Sequence, residues 1–129
     1  MTASTGLEPA VSRAEYCVVA CAEAWRGDGE VLAAAMGTIP TLGARLARLT
    51  FEPDLLITDG EALLAADVPA LGAAPAAVEG ALPYRRHLEL VAMGHRHVMM
   101  GASQLDRHGN QNISEIGRAS CRERVLVAV

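Results

Sequence analysis

"RHVMMGASQLDRHGNQN", residues 96–112, changes character halfway along. Its first part, 96–102, is a short apolar run that reads as a buried strand. The second part gathers Gln104, Asp106, Arg107, His108, Asn110 and Asn112 around Gly101 and Gly109, and Leu105 is the one large apolar side chain within 101–112. Amides, charges and glycines at the end of a strand suit a site, because ligands in open α/β sheets lie outside the carboxyl ends of the strands. The alternative is a self-satisfied hairpin, with Gly109-Asn110 forming a tight turn at positive φ.

Upstream, the same alternation of elements repeats. Residues 1–11 read as a loose terminus. "SRAEYCVVACAEAWRGDG" from Ser12 reads as an amphipathic helix, with Ser12 as N-cap and Glu15 at capping-box spacing; Gly27 and Gly29 end it. "EVLAAAMG" (30–37) reads as a short strand. Pro40 lies near the start of the next helix, in which Leu42, Leu46 and Leu49 recur at helical spacing with Arg45 and Arg48 on the other side. "PDLLIT" (53–58) is a second buried strand, and Asp59-Gly60 marks a turn after it. A proline- and alanine-rich loop covers 69–77. "YRRHLELVAMG" (84–94) predicts a third helix with Leu88, Val91 and Ala92 facing inward, and 96–102 follows as the third strand. Strand, helix, strand, then helix, strand indicates an α/β fold with an open, mostly parallel sheet and flanking helices.

The bulk composition narrows the function. The chain has 129 residues, 51% of them apolar, which suits one folded domain. A net charge of −4 and 3% aromatic residues argue against a nucleic-acid surface. No apolar stretch reaches the roughly 18–20 residues of a membrane span, and the N-terminus lacks the basic start and apolar core of a secretory signal. A cytoplasmic location, with neither membrane nor nucleic acid as partner, is the expectation. All eleven basic residues are arginine, a pattern of GC-rich coding rather than of chemistry.

Cys17 and Cys21 share a helix face as small buried apolar residues; neither spacing nor neighbours make them a metal or redox pair. His95 and His97 point to one side of an extended strand, too few ligands for a metal, so no metal site is expected. "IGRASCRERV" (116–125) matches the translation of a common sequencing-adapter sequence, so 116–129 is expected to be a non-native tail. The alternative is a genuine basic, amphipathic tail.

Two stretches carry candidate chemistry. "ITDGE" places Thr58, Asp59 and Glu61 beside Gly60 at a strand end, where two carboxylates can divide acid and base work if their pKa values are pushed apart. The plainer reading has Asp59 capping a turn and Glu61 in solvent. The polar cluster after residue 100 is the other stretch.

With these residues in view, the chain resembles the β subunit of family I CoA-transferases of the glutaconate type. "GASQLDRHGNQN" is similar to that subunit's G-A-x-Q-[VIL]-D-x-x-G-N-x-N segment. "GARLARLTFEPDLLITDGEA" is similar to its helix and active-site strand, and "VPALG" and "ELVAMGHRHVMMGASQ" follow in the family's order. The resemblance runs from about Arg13 to Glu115 and is nearest to a branch of acyl-CoA hydrolases that open a carbon ring in bacterial steroid degradation.

It implies a NagB/RpiA/CoA-transferase-like fold, incomplete here, with 12–115 as the N-terminal part of such a domain. It also implies an α subunit as partner and a coenzyme A thioester as substrate, with no permanently bound cofactor. In the transferases the strand ends in a nucleophilic glutamate; the aligned residue here is Thr58, whose hydroxyl has no anionic form near neutral pH and no adjacent histidine to activate it. The resemblance therefore implies acid–base roles for Glu61 and Asp59. Substrate contacts fall to Thr58, Gly60, Gly101, Ala102, Gln104 and Asn110, while Asp106 braces the turn. Two alternatives remain: an active transferase using a displaced carboxylate such as Glu61, or a non-catalytic truncated fragment that binds a partner. A sheet cut after its third strand leaves an edge and an apolar face uncovered, so poor unfolding cooperativity or aggregation is expected of the chain alone.

Overall fold

The computed structural model describes residues 11–58, 62–102 and 104–112. Residues 1–10, 59–61, 103 and 113–129, including Cys121, lie outside the described residues, and with them the expectations for the terminus, the Asp59-Gly60 turn and the adapter-like tail.

Helix α1 (Arg13–Glu23) begins where the sequence signals it. The Ser12 hydroxyl accepts the Glu15 amide at 3.2 Å, and the Glu15 carboxylate accepts the Ser12 amide at 2.8 Å. This closes both halves of a capping box and satisfies two amides that the helix itself leaves unpaired. Strand β1 (Leu32–Met36) leads through Gly37, at φ +102°, into α2 (Thr38–Thr50). That left-handed φ is open to glycine and costly for other residues.

The two helices pack through small residues. Gly43 sits so close to α1 that a Cβ there would fall 2.6 Å from Cys21 Cβ and 3.1 Å from the Ala22 amide nitrogen. The face of α2 that enters the core is accordingly Pro40, Gly43, Ala44 and Ala47. The leucines noted at helical spacing do not make this face: Leu42 and Leu46 are half-buried and Leu49 is 68% exposed. Close helix approach places the smallest residues at the contact line and the leucines on its flanks.

β1 is the centre of the parallel arrangement. It pairs parallel with β5 (Arg96–Met100), Leu32 opposite Arg96 through Met36 opposite Met100. On its other side Leu32 bridges Leu56 in parallel, just before β2 (Ile57–Thr58). The open parallel α/β arrangement expected from the sequence is present, with helices against it. Antiparallel pieces are added to it. β2 pairs with β3 (Leu63–Ala65), which pairs with β4 (Val78–Ala81). β6 (Gln104–Leu105) and β7 (Gln111–Asn112) form a hairpin. The sequence reading had no β3 or β4, whose few residues are too short to carry a period-2 signal.

The core collects under α1, α2 and β1: Cys21, Ala22, Trp25, Val31, Ala33, Ala44, Ala47, Leu55, Ile57, Ala65 and Met99. Trp25 is fully buried at its centre. Its ring packs against His97, with centroids 5.6 Å apart, and Asp28 holds His97 Nδ1 at 2.5 Å.

α3 (Tyr84–Ala92) forms where predicted but buries no residue. Leu88 is 58% and Val91 52% exposed, and Ala92 is exposed too. Their inward assignment is corrected: the helix lies against β5, and its half-buried residues are His87, Glu89 and Leu90. Periodicity located an apolar stripe without locating anything for the stripe to meet.

Candidate functional site at the carboxyl edge of the parallel strands

Parallel pairing brings three strand ends to one edge. Met36 ends β1, Met100 ends β5 directly opposite it, and Thr58 ends β2 on the far side of β1. With strands spaced about 4.8 Å apart, Thr58 and Gly101 lie about two strand widths from each other. The first turn of α2 starts at the same edge, contributing the positive end of its peptide dipoles. Gly37 was not singled out in the sequence. Its signal was there, a glycine between an apolar strand and a helix containing Pro40.

A cleft of about 320 Å³ opens against this layer. One wall is β1 from Leu32 to Met36, with Ile57 and Thr58 beside it; α2 contributes Thr41, Ala44 and Arg45. Leu71 and Gly72, His87 of α3 and Arg96 of β5 complete the lining. The loop over the cleft is tied down by α2: Arg45 Nε donates to the Pro69 carbonyl at 2.9 Å, and Arg48 donates to the carbonyls of Ala65 and Ala66 at 2.6 and 3.2 Å. These arginines, read from sequence as a polar flank, hold the segment that lines the site.

Of the residues expected in the site, Thr58 lines this cleft. Asp59, Gly60 and Glu61, which follow it directly, lie outside the described residues. Gly101 is half-buried and Ala102 is 2% exposed at the end of β5. Gln104 is half-buried at the start of the hairpin.

Asn110 is exposed and committed to the turn: its side-chain amide donates to Asp106 Oδ2 at 2.8 Å and its backbone amide to Oδ1 at 2.9 Å. The His108 amide adds a third bond to the same carboxylate at 2.8 Å. Hydrogen bonds from the Asn110 side chain, then from the Asn110 and His108 backbone, hold the Asp106 carboxyl below its usual range. Asp106 therefore braces the hairpin, and Gly109 takes φ +85° to close it. Asp106 thus pairs with the amides of the turn, and Gly101 and the buried Ala102 lie just past the end of β5.

The two described cysteines are structural. Cys21 is buried and Cys17 half-buried. Burial raises the Cys21 thiol above its usual pKa, and the neighbouring Cys17 adds to the shift, which disfavours the reactive thiolate. Among the described residues no group of three or more His, Cys, Asp or Glu is arranged to hold a metal ion, and no helix is long and apolar enough to cross a membrane.

The cleft and the strand ends lie against an open parallel α/β layer, the fold that the motif resemblance implied. Comparison with known proteins finds the chain similar to IpdB subunits. It is 62% identical over 107 residues to the "Cholesterol ring-cleaving hydrolase IpdB subunit" of Rhodococcus jostii RHA1, covering 83% of this chain and 42% of that protein. It is 57% identical over 108 residues to the IpdB subunits of Mycobacterium bovis and Mycobacterium tuberculosis H37Rv, covering 82% of this chain and 43% of each. The crystal structure of Rhodococcus jostii RHA1 IpdAB superposes with a TM-score of 0.78 at 56% identity, over 92% of this chain and 47% of that one. The chain thus spans less than half the length of the relatives it matches. No family model matches it.

Proposed function

We propose that this chain is the β-subunit-like component of a heteromeric, cytoplasmic acyl-CoA-processing enzyme that opens a carbon ring of a steroid-derived CoA thioester by hydrolysis. The observation that carries this reading is the 62% identity to a subunit named as a cholesterol ring-cleaving hydrolase. Thr58 in place of an attacking acid favours hydrolysis over group transfer, because a neutral hydroxyl is a weaker nucleophile than a carboxylate. Coenzyme A enters as part of the substrate, and no permanently bound cofactor is required. The carboxylate of Asp59 or Glu61 takes the proton of the attacking water and returns one to the leaving carbon. Gly60 and Gly101 let the substrate approach the backbone and Gln104 and Thr58 orient it, while Asn110 and the buried Ala102 act indirectly, by holding the turn and the end of β5 in place. The α subunit supplies the rest of the pocket.

The test is co-expression of the subunit carrying this sequence with its α-type partner. Ring-opened product should form only with both subunits present. Glu61→Gln should lower turnover by roughly 10²–10⁴-fold if Glu61 carries the proton. A borohydride-trapped adduct of coenzyme A on Glu61 would instead establish transfer.

A further inference from the structure

The loop over the cleft is fastened at both ends and free in the middle. At its base the Ala66 amide donates to the Ala77 carbonyl at 3.0 Å, and the Asp67 carboxylate accepts the Ala76 amide at 3.0 Å and the Ala77 amide at 3.5 Å. Arg45 pins the first limb through the Pro69 carbonyl, where Pro69 is buried and Val68 packs on the core. Half-buried Pro75 opens the returning limb. A proline at each shoulder fixes φ there and stiffens the limbs. Between them residues 70–74 are exposed. Among the described residues, the one hydrogen bond they make is internal, from the Ala73 amide to the Ala70 carbonyl at 3.0 Å. A Cβ added at Gly72 would meet nothing within 4 Å, so nothing packs against the tip there. Leu71, the one large side chain of the tip, nonetheless lines the cleft while 51% exposed. About half of its surface is therefore still open to burial, and burying it is favourable.

We propose that residues 70–74 are a lid that closes over the cleft, with Leu71 covering the apolar body of the bound acyl group. The lid rests on the thioester reading above and gives Leu71 its part in it: preference for a large apolar acyl group over a small one. The anchors confine the movement to five residues, which swing between Pro69 and Pro75 without disturbing the core. A small acyl group leaves Leu71 nothing to cover, whereas a large one takes it out of water. Arg45 serves as an anchor of the lid, donating to the carbonyls of Pro69 and Thr41.

The experiment is hydrogen exchange of residues 70–74, read by mass spectrometry on the subunit assembled with its α-type partner, beside calorimetric titrations with octanoyl-CoA and acetyl-CoA. Without ligand, 70–74 should exchange faster than the bonded amides of Ala66, Ala76 and Ala77. Saturating octanoyl-CoA should slow 70–74, and saturating acetyl-CoA should not. Leu71→Ser should weaken octanoyl-CoA about fivefold, as loss of half a leucine's burial implies. It should leave acetyl-CoA affinity and Tm unchanged, because the side chain is half exposed without ligand. Equal slowing by both thioesters, equal loss of both in L71S, or full octanoyl-CoA affinity in L71S would each overturn the lid. Binding of both thioesters without slowed exchange would strike down the lid alone; binding of neither would strike down the thioester reading and the lid with it. Should L71S fail to fold, exchange in the unmodified enzyme still decides.

Discussion

The α1–α2 pair and α3 look alike as amphipathic sequence and behave differently in the fold. α1 and α2 meet through Cys21, Ala22, Gly43, Ala44 and Ala47, with Trp25 sealed beneath them. α3 carries Leu88 and Val91 at equally good spacing and leaves both more than half exposed. An apolar stripe shows that a helix has a side to bury. Whether it does so depends on a surface of matching shape within reach, and small residues are what allowed α1 and α2 to reach each other.

That contrast can be broken by mutation. Trp25→Ala should cost most, about 3–5 kcal/mol in a urea or thermal melt, because it empties the centre of the packed half. Gly43→Ala comes next. Alanine favours a helix, but its Cβ would collide with Cys21 Cβ and the α1 backbone, so a loss of about 1–3 kcal/mol is expected. A neutral result would mean that the helices part easily and that the contact is looser than its geometry.

Ser12→Ala should cost about 1 kcal/mol by removing the cap of α1. It should also change the acid limb of the stability curve. Bonds from the Ser12 side chain and then its backbone amide lower the Glu15 carboxyl below its ordinary value of 4.5. A carboxyl with a depressed folded-state pKa adds stability above its ordinary pKa, and that stability is lost as pH falls through the folded value. The wild type should therefore lose stability below about pH 4.5 more steeply than Ser12→Ala, as melts from pH 6 to pH 3 would record. Leu88→Ser on α3 should have the smallest effect, within about 0.5 kcal/mol, because the side chain is already exposed. A loss comparable to that of Gly43→Ala would erase the distinction between the two halves.

Where one residue carries the physical signal, the sequence was legible. Ser12 and Glu15 located the start of α1, Gly109 the turn of the β6–β7 hairpin, and the apolar runs at 30–37 and 96–102 the paired parallel strands. Where the signal is shared between distant residues, it was not. The buried face of α2 is set by α1, which no feature of "TLGARLARL" reveals. β3 and β4 exist because each pairs with a neighbour, not because of their own pattern. The candidate site divides in the same way. The strand ends could be read as a site because parallel strands place them together, whereas the cleft beside them needed Arg45, His87 and Arg96 from three separate elements. The roles proposed for Asp59, Gly60 and Glu61 still rest on sequence and resemblance.

The central claim is that water, and no side chain of this subunit, attacks the substrate. It is tested most directly by running the assembled enzyme for many turnovers in ¹⁸O-water and measuring the mass of the ring-opened product and of the peptide spanning residues 53–62. The account predicts ¹⁸O in the product and none in the peptide. Label accumulating on Glu61 or Asp59 would reveal a covalent acyl intermediate and contradict it.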